Sequence, residues 1–322
     1  MRAIQADRHG GTEVLAVADL PVPVCGQDQI LVKVAAAGVN FIDTYQRSGL
    51  YPMALPLTLG REGSGEVIEI GSDISNIKVG DLVSWPGVQG SYCEFIAMKP
   101  TDCVVVPQGV DLQVACAAML QGMTAHYLVT SVYPIKPGDT ALVHAAAGGV
   151  GLLLCQMIKS RGGRVIGTVS TDAKVKAALA AGADEVIRYD QEEFAPKVRE
   201  LTGGLGVNVV YDGVGKSTFD GSLASLARRG LLATFGNASG PVPPLEVLRL
   251  SSSGSISLIR PTLVDYIATH EEMQWRADEI FAAIASSALH CAIGASYPLD
   301  QAAKAQDDLE ARLTSGKLVL VP

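Results

Sequence analysis

The sequence lacks the paired cysteines and histidines on which most protein zinc sites depend. Its cysteines form no Cys-x-x-Cys pair, and its five histidines form no His-x-x-x-His or His-Glu-x-x-His pattern. Structural zinc sites normally need such pairs, so we expect no structural zinc. Isolated cysteines are typical of reduced, mostly buried thiols in a cytoplasmic protein. They are Cys25, Cys93, Cys103, Cys116, Cys155 and Cys291.

The chain is also poor in basic residues and in long uninterrupted apolar runs. It has 25 Lys and Arg against 33 Asp and Glu, which gives a net charge of −8. Nucleic-acid-binding proteins usually carry a basic patch, so this balance argues against that class. The N-terminal segment has no apolar stretch of the secretory type, and the most apolar region, residues 141–158, is interrupted by Gly148 and Gly149. We therefore expect no secretion, no membrane span and a cytoplasmic location.

The length and the hydrophobic pattern predict two domains of different kinds. A chain of 322 residues, 48% of them hydrophobic, can form about two cores of ordinary size. Short β-type runs at residues 30–34, 65–70 and 103–106 lie between Gly- and Pro-rich turns, which indicates a mostly-β first domain. From Asp139 onward, apolar strands alternate with helices, which indicates a parallel sheet covered on both faces and an α/β fold. The six strands expected there begin at Ala141, Arg164, Asp184, Val207, Gly230 and Ser255.

A glycine-rich turn follows the first of these strands. The segment AAGGVG, from Ala146 to Gly151, lies between the strand ALVHA and the helical stretch GLLLCQMIKS. In a βαβ unit such a turn lets the backbone approach a pyrophosphate at Gly148 and lets the helix pack closely on the strand at Gly151. Ala146 stands where the usual pattern has its first glycine. We interpret the segment as a dinucleotide-binding turn.

The end of the second strand distinguishes between the two nicotinamide dinucleotides. NAD enzymes place a carboxylate there to hold the ribose 2′-hydroxyl. Here the strand RVIGTV ends at Val169 and is followed by Ser170 and Thr171, with Lys174 shortly after. Two hydroxyls and a cation suit a 2′-phosphate, and we interpret Asp172 as the cap of the next helix. The sequence therefore favours NADPH.

Several segments resemble the zinc-free quinone oxidoreductases related to zeta-crystallin, a group of the medium-chain dehydrogenase/reductases, and among them most closely the bacterial NADPH:quinone reductases. The resemblance covers essentially the whole chain. It implies a GroES-like, mostly-β catalytic domain (1–122), a Rossmann NADPH-binding domain (123–262) and a C-terminal segment that returns to the catalytic domain (263–322). It also implies a homodimer paired through the Rossmann domains, with a small quinone as substrate. The segments are GDTALVHAAAGGVGLLLCQMIK from Gly138, VNFIDTYQRSGLYP from Val39, VYDGVG from Val210, RRGLLATFGNASG from Arg228 and RPTL from Arg260.

The same resemblance implies positions for the site residues. It places Asn40, Tyr45 and Tyr51 near the reacting acceptor. The nicotinamide side of the cofactor would be lined by Phe41, Ile42, Asp43, Thr44 and Thr124. The pyrophosphate would lie at Gly148, Gly149 and Val150, and the 2′-phosphate and adenosine at Ser170, Lys174 and Tyr189. The cofactor groove would be closed by Phe235, Gly236, Asn237 and Arg260.

Zinc-dependent members of the superfamily place their catalytic ligands where this chain has Asn40, Glu62 with its neighbour Arg61, and Leu120. Only the glutamate is retained, whereas a catalytic zinc needs three protein ligands and an open position. We therefore expect no catalytic metal. Without a Lewis acid, alcohol oxidation is disfavoured, but reduction of an electron-poor quinone stays feasible because the cofactor carries the chemistry.

The sequence leaves two alternatives to a quinone reductase open. One is an alkenal or enone reductase of the same superfamily, because both activities need only a flat site above the nicotinamide. The other is a non-catalytic NADPH-binding protein, for which the lens role of zeta-crystallin is the precedent by analogy. In either catalytic case Asn40, Tyr45 and Tyr51 are candidate hydrogen-bond donors to the acceptor oxygen.

Overall fold

The computed structural model describes residues 1–322, which separate into two units. Unit 1 consists of Met1–Met123 and Ile267–Pro322, and unit 2 consists of Thr124–Tyr266. The chain therefore leaves unit 1 after its first part and returns to it for its last. The sequence-based proposal of 1–122, 123–262 and 263–322 differs from this division by one residue at the first boundary and by four at the second.

Frequent Gly and Pro turns divide the first part of unit 1 into short strands. A π-type turn, Ala118–Gly122, ends this part of the unit and is followed by the short helix in which unit 2 begins. The elements, in chain order, are β1 (Arg2–Ala6), β2 (Ala16–Asp19), β3 (Ile30–Val39), α1 (Phe41–Ser48), β4 (Leu57–Thr58), β5 (Glu62–Ile70), β6 (Leu82–Trp85), β7 (Phe95–Met98), β8 (Val104–Val105), α2 (Leu112–Ala117) and α3 (Met123–Tyr127).

Unit 2 alternates strands and helices, as its apolar pattern predicts. Its six strands pair only in parallel, in the order β11-β10-β9-β12-β13-β14. This is the Rossmann order, and its direction reverses between β9 and β12, where ligands bind outside the carboxyl ends of the strands. The elements are β9 (Thr140–Val143), α4 (Gly149–Ser160), β10 (Arg164–Val169), α5 (Asp172–Ala180), β11 (Glu185–Arg188), α6 (Phe194–Leu201), β12 (Val207–Asp212), α7 (Phe219–Ser225), β13 (Leu226–Thr234), α8 (Leu248–Ser252), β14 (Ser257–Ile259) and α9 (Leu263–Tyr266).

The last part of the chain completes the larger sheet of unit 1. It forms α10 (His270–Ala285), β15 (Ile293–Pro298), α11 (Ala302–Glu310) and β16 (Lys317–Val321). The sheet order is β15-β16-β3-β5-β6-β8, with β7 paired to β3, and a smaller sheet has the order β2-β1-β4. Strands β16 and β5 both run antiparallel to β3. The end of β3 and the starts of β16 and β5 therefore meet at one end of the sheet.

Each unit has its own hydrophobic core. The core of unit 1 lies between its two sheets and includes the fully buried Trp85 and Tyr92. The core of unit 2 includes Leu142 and Ile166 from the sheet, with Phe219 from the flanking helix α7 packed in the same cluster. These cores hold the strand ends, and with them the site residues, in fixed positions.

The predicted α/β class, with a mostly-β domain and a Rossmann sheet, is confirmed. The apolar stretch at residues 141–158 divides into the end of β9, a turn and most of α4, and none of the helices is long and apolar enough to cross a membrane. The run at residues 30–34 lies in strand β3, which continues to Val39. One local prediction was wrong, because the N-cap of α5 is Thr171, not Asp172.

Candidate functional site

The turn after β9 is shaped so that only glycine fits at position 151. A Cβ on Gly151 would lie 2.8 Å from both the Cα and the carbonyl carbon of Ala146, which is closer than real contacts allow. Helix α4 therefore packs directly on the backbone of the turn. Gly148 is the N-cap of α4 and no side chain caps this helix, so the amides of Gly149 and Val150 have no intrahelical acceptor. This arrangement suits an anionic group at the helix N-terminus.

The end of β10 carries no carboxylate. Val169, its last residue, is 1% exposed and pairs in register with Arg188 of β11. The next residue of the chain, Ser170, is half-buried. Tyr189 donates its backbone amide to the Val169 carbonyl over 3.2 Å and keeps 41% of its surface exposed. The residues predicted for the 2′-phosphate and adenosine thus gather around one strand end.

Arg188 neutralises the carboxylates nearest to this strand end. Its guanidinium contacts Asp172 and forms a two-pronged pair with Asp190, at 2.6 and 2.8 Å. Hydrogen bonding from Arg188 holds the pKa of Asp190 below its ordinary value. Thr171 Oγ1 accepts the backbone amide of Lys174 over 3.3 Å, so this hydroxyl serves the helix and half-buried Lys174 stands in the first turn of α5.

A buried polar network links the ends of β9, β10 and β12. Ser222 Oγ donates to Asp212 Oδ2 over 2.9 Å, so its one proton is used and it must accept from His144 Nε2 at 3.0 Å. His144 Nδ1 then accepts from the Thr168 hydroxyl at 2.9 Å. Burial lowers the pKa of His144, which keeps the ring neutral. His144 is thus a buried, hydrogen-bonded histidine, and because Ser222 donates to Asp212, these side chains do not form a hydrolytic triad.

The loops after β12 and β13 are held by backbone contacts. Asp212 Oδ1 accepts the amides of Val214 and Gly215 at 2.8 and 3.0 Å. A side chain on Gly236 would meet the backbone of Gly213, with its Cα at 2.9 Å. Arg260 donates to the carbonyls of Thr234 and Gly236 at 2.9 and 3.0 Å.

These contacts order the segment predicted to close the cofactor groove. Phe235, Gly236 and Asn237 lie in it and are all partly exposed. Arg260 stabilises this loop through its hydrogen bonds to the carbonyls of Thr234 and Gly236. Thr124, predicted for the nicotinamide side, is 7% exposed in α3.

In unit 1, helix α1 carries most of the residues predicted for the nicotinamide end. Phe41 and Ile42 are partly exposed, as expected for residues that face a ligand. Tyr45 is 8% exposed, and its ring meets the half-buried ring of Tyr51 edge to face, with centroids 5.3 Å apart. The two predicted tyrosines are therefore neighbours, and Tyr51 is the more accessible.

Asp43 and Thr44 point into the protein. Thr44 is 3% exposed and its hydroxyl donates to the Phe41 carbonyl. Asp43 is fully buried, and its Oδ2 accepts from the amide of Asn40 at 2.8 Å and from the Tyr92 hydroxyl at 2.9 Å. Burial raises the pKa of Asp43 to about 6. Both side chains support the start of α1, and their burial gives no support to direct contact with a cofactor.

A buried ion pair lies where the end of β3 meets the starts of β5 and β16. The ammonium of Lys317 contacts the carboxylate of Glu62 and donates to Asn40 Oδ1 over 2.8 Å. The Asn40 amide nitrogen donates to Glu62 Oε2 at 2.8 Å and to the Gly38 carbonyl at 3.3 Å. The other Glu62 oxygen accepts the backbone amide of Leu120 at 2.6 Å. The three side chains are 4% exposed or less.

The residues in this cluster do not fit a zinc ion. No three His, Cys, Asp or Glu side chains gather closely enough to hold a metal anywhere in residues 1–322. Asn40, Glu62 and Leu120, which stand where zinc-dependent members of the superfamily have their ligands, are neighbours in space. Their common partner, however, is the ammonium of Lys317, and Arg61 instead reaches toward the carbonyl of Gly87.

Sequence reasoning missed Lys317, Arg188 and the Asp212 network. Lys317 had one usable signal, since it begins the apolar strand KLVLV and a lysine there needs a partner if the strand is buried. Arg188 precedes Tyr189, a predicted cofactor-binding residue, and it is the register partner of Val169. Only the strand pairing reveals that relation.

Comparison with known proteins covers the whole chain. Residues 26–137 match the family described as alcohol dehydrogenase GroES-like domain, and residues 149–280 match the family described as zinc-binding dehydrogenase. The quinone oxidoreductase of Pseudomonas aeruginosa is 45% identical over 323 residues, which span 100% of this chain and 99% of that protein.

Two solved structures agree closely with this one. A mycobacterial protein complexed with NADPH has a TM-score of 0.97 and 51% identity, over 100% of both chains. The quinone oxidoreductase of Escherichia coli complexed with NADPH also has a TM-score of 0.97, with 41% identity over 100% of both chains.

Proposed function

We propose that this chain, which belongs to the quinone oxidoreductase family of the medium-chain dehydrogenase/reductases, reduces quinones with NADPH and without a metal. Reduction of a quinone to a hydroquinone requires one hydride and one proton. NADPH, when bound, supplies the two electrons, as a hydride or one at a time. The protein has to bind and orient both reactants and provide donors for the oxygen that gains negative charge.

The residues of unit 2 fit NADPH. The uncapped N-terminus of α4 and the closely packed Gly151 suit a pyrophosphate. Val169 ends β10 without a carboxylate, and Arg188 pairs with Asp172, which reduces repulsion of a 2′-phosphate. Ser170, Lys174 and Tyr189 would provide its donors. This fit is independent of the relatives that carry NADPH in their structures.

In unit 1 the proposed roles divide by accessibility. Phe41 and Ile42 are partly exposed and would flank the nicotinamide. Tyr51, half-buried beside Tyr45, is the better placed of the two to donate to the acceptor oxygen. Asn40 has its amide nitrogen engaged by Glu62 and Gly38, so we assign it a positioning role. Asp43 and Thr44 hold the helix that carries these residues.

The observation that carries the metal-free assignment is the donor set around Glu62. An ammonium already contacts the carboxylate, and the neighbouring positions offer an amide and a backbone N–H. A cation bound next to this ammonium would be repelled. Quinone reduction needs no Lewis acid, because the acceptor is electron-poor and its oxygen needs only hydrogen-bond donors.

The test is NADPH consumption with 1,4-benzoquinone, measured beside an aliphatic enone, with the reaction lacking protein as background. We expect turnover with the quinone, much slower turnover with the enone, and no loss of activity with a chelator. Preference for the enone would point to the alkenal reductase alternative. Tight NADPH binding without turnover of either acceptor would point to the non-catalytic alternative.

We further propose a homodimer paired through unit 2. Strand β14 lies at the edge of the six-stranded sheet, with Ser257 and Leu258 exposed. A short exposed edge of this kind can pair with a second copy and continue the sheet. A cytoplasmic location stays a prediction of the sequence.

A further inference from the structure

Lys317 and Glu62 form a buried charged pair to which neither the sequence nor the proposed function assigns a ligand. Lys317 is 2% exposed, and the carboxylate it contacts is fully buried. Burying two charges costs free energy that their attraction repays only with good geometry and further hydrogen bonds. Further hydrogen bonds are present here, because Lys317 also donates to Asn40 Oδ1, Asn40 donates to Glu62, and Glu62 accepts the amide of Leu120. A buried pair of this kind adds little to stability when its charges are well compensated, so its role is sought in the neighbours that it holds in place.

The strand register shows how the pair is built. Gly38 of β3 faces Glu62 on one side and Val319 of β16 on the other. A Cβ on Gly38 would lie 2.7 Å from Lys317 Cε and would also strike the Glu62 carboxylate. Because Gly38 has no side chain, Lys317 has room to extend across β3 and reach Glu62.

The pair of Lys317 and Glu62 contacts two backbone segments, the start of α1 and the π-type turn that contains Leu120. Asn40, held by Lys317 and Glu62, is the N-cap of α1, the helix that carries Phe41 and Tyr45. Glu62 also fixes the amide of Leu120 within the π-type turn Ala118–Gly122. The pair thus contacts both segments, Lys317 through Asn40 and Glu62 through the amide of Leu120.

We propose that Lys317 is a positioning residue for quinone reduction, its buried ammonium serving as a fixed internal cation that orients Asn40 and Glu62 and, through them, α1 and the turn at Leu120. The inference rests on the proposed function, since its catalytic readout is quinone turnover. It assigns Lys317 no contact with substrate or cofactor. If the ion pair were purely structural, a folded variant without the ammonium would turn over quinone normally. The proposal predicts that turnover falls even when the variant is folded.

The first test is Lys317→Ala with chemical rescue. Alanine keeps Cβ, so n-propylammonium is the missing fragment, and n-propanol has a similar size without the charge. Misplacement of reacting groups by about 1 Å can cost 100-fold in rate, so we expect kcat with benzoquinone to fall about 10- to 100-fold, with KM for NADPH changed less than about threefold. Propylammonium should restore kcat and propanol should not. Lys304→Ala, which removes an exposed lysine of α11, is the matched control and should behave as wild type.

A second readout does not depend on turnover. The side-chain amide of Asn40 should exchange its protons slowly in wild type, fast in Lys317→Ala, and slowly again with propylammonium. Wild-type kcat in Lys317→Ala, equal rescue by propanol, or recovery of melting temperature without recovery of kcat would each overturn the proposal. If wild type itself failed to reduce quinones, the proposed function would fail, while the exchange experiment would still decide whether Lys317 positions Asn40.

A charge-free variant covers the case in which Lys317→Ala does not fold. The double variant Glu62→Gln with Lys317→Met nearly keeps the volume of both side chains and removes both charges, so that neither is left uncompensated. The proposal expects it to fold with lowered kcat, because methionine cannot donate to Asn40. A folded double variant with wild-type kcat would overturn the proposal.

Discussion

Replacement of Lys174 by alanine tests the basis of cofactor choice. Lys174 stands half-buried in the first turn of α5, close in sequence to the strand end where Val169 replaces the usual carboxylate. A hydrogen bond to a charged phosphate contributes about 1.5–3 kcal/mol. Loss of this contact should raise KM for NADPH about 10- to 100-fold. NADH lacks the phosphate, so its KM should stay nearly unchanged.

The structure offers a matched control on the same helix. Lys176 is exposed two residues further along α5, and Lys176→Ala makes the same change in net charge and in helix propensity. Because alanine is the best helix former, neither variant should lose α5. Lys176→Ala should leave both cofactors unaffected, apart from a small effect on long-range attraction that salt removes.

The assay is steady-state turnover of benzoquinone with each cofactor. The change should appear in KM for NADPH rather than in kcat, because the 2′-phosphate is remote from the transferred hydride. The reverse substitution belongs at half-buried Ser170 rather than at Val169, where a carboxylate would be buried. Ser170→Asp should shift preference toward NADH. Equal use of both cofactors by wild type, or equal weakening of both by Lys174→Ala, would refute the reasoning.

Three further outcomes follow from the geometry. Gly151→Ala should weaken NADPH binding at least about tenfold in a fluorescence titration, because its Cβ would displace α4 from Ala146; unchanged affinity would contradict the close packing. Burial raises the pKa of Asp43 from 3.8 to about 6, so its contribution to stability is present below about pH 4 and lost as the pH rises through 6. At about 1.4 kcal/mol per pH unit this loss is on the order of 3 kcal/mol, and urea unfolding of Asp43→Asn from pH 4 to pH 7 should lack it. Sedimentation should give about twice the chain mass of 33.6 kDa, and Leu258→Lys at the edge strand should return it toward the monomer.

Unit 2 was predictable because its signals are local. Parallel strands buried on both faces are continuous apolar runs, and the glycine turn marks the point where β9 ends and α4 begins. The cap of α5 was wrong because Thr171 and Asp172 are adjacent and both are good N-cap residues. The pairing of Asp172 with Arg188 of another strand explains why Thr171 is the one left to cap the helix.

The nicotinamide end of the site was harder to predict because α1 is only eight residues long. Its residues from Asp43 to Arg47 are all buried, so helical periodicity does not separate a ligand-facing side from a core-facing side. The resemblance placed all of the first five residues of the helix, Phe41 to Tyr45, near the ligand. The structure divides them, since Phe41 and Ile42 stay partly exposed whereas Asp43 bonds inward to Tyr92.

A sequence that lacks metal ligands does not reveal which residue occupies their place in the structure. Lys317 is an example. Its contact with Glu62 joins residues 255 positions apart, and no local pattern reports a separation of that kind. The contact exists because β16 returns to pair with β3, and because Gly38 leaves room for a side chain to cross that strand. Loss of zinc ligands alone would leave Glu62 as an uncompensated buried charge, which costs several kcal/mol. In this protein the compensating cation is the ammonium of Lys317, which comes from the other end of the chain.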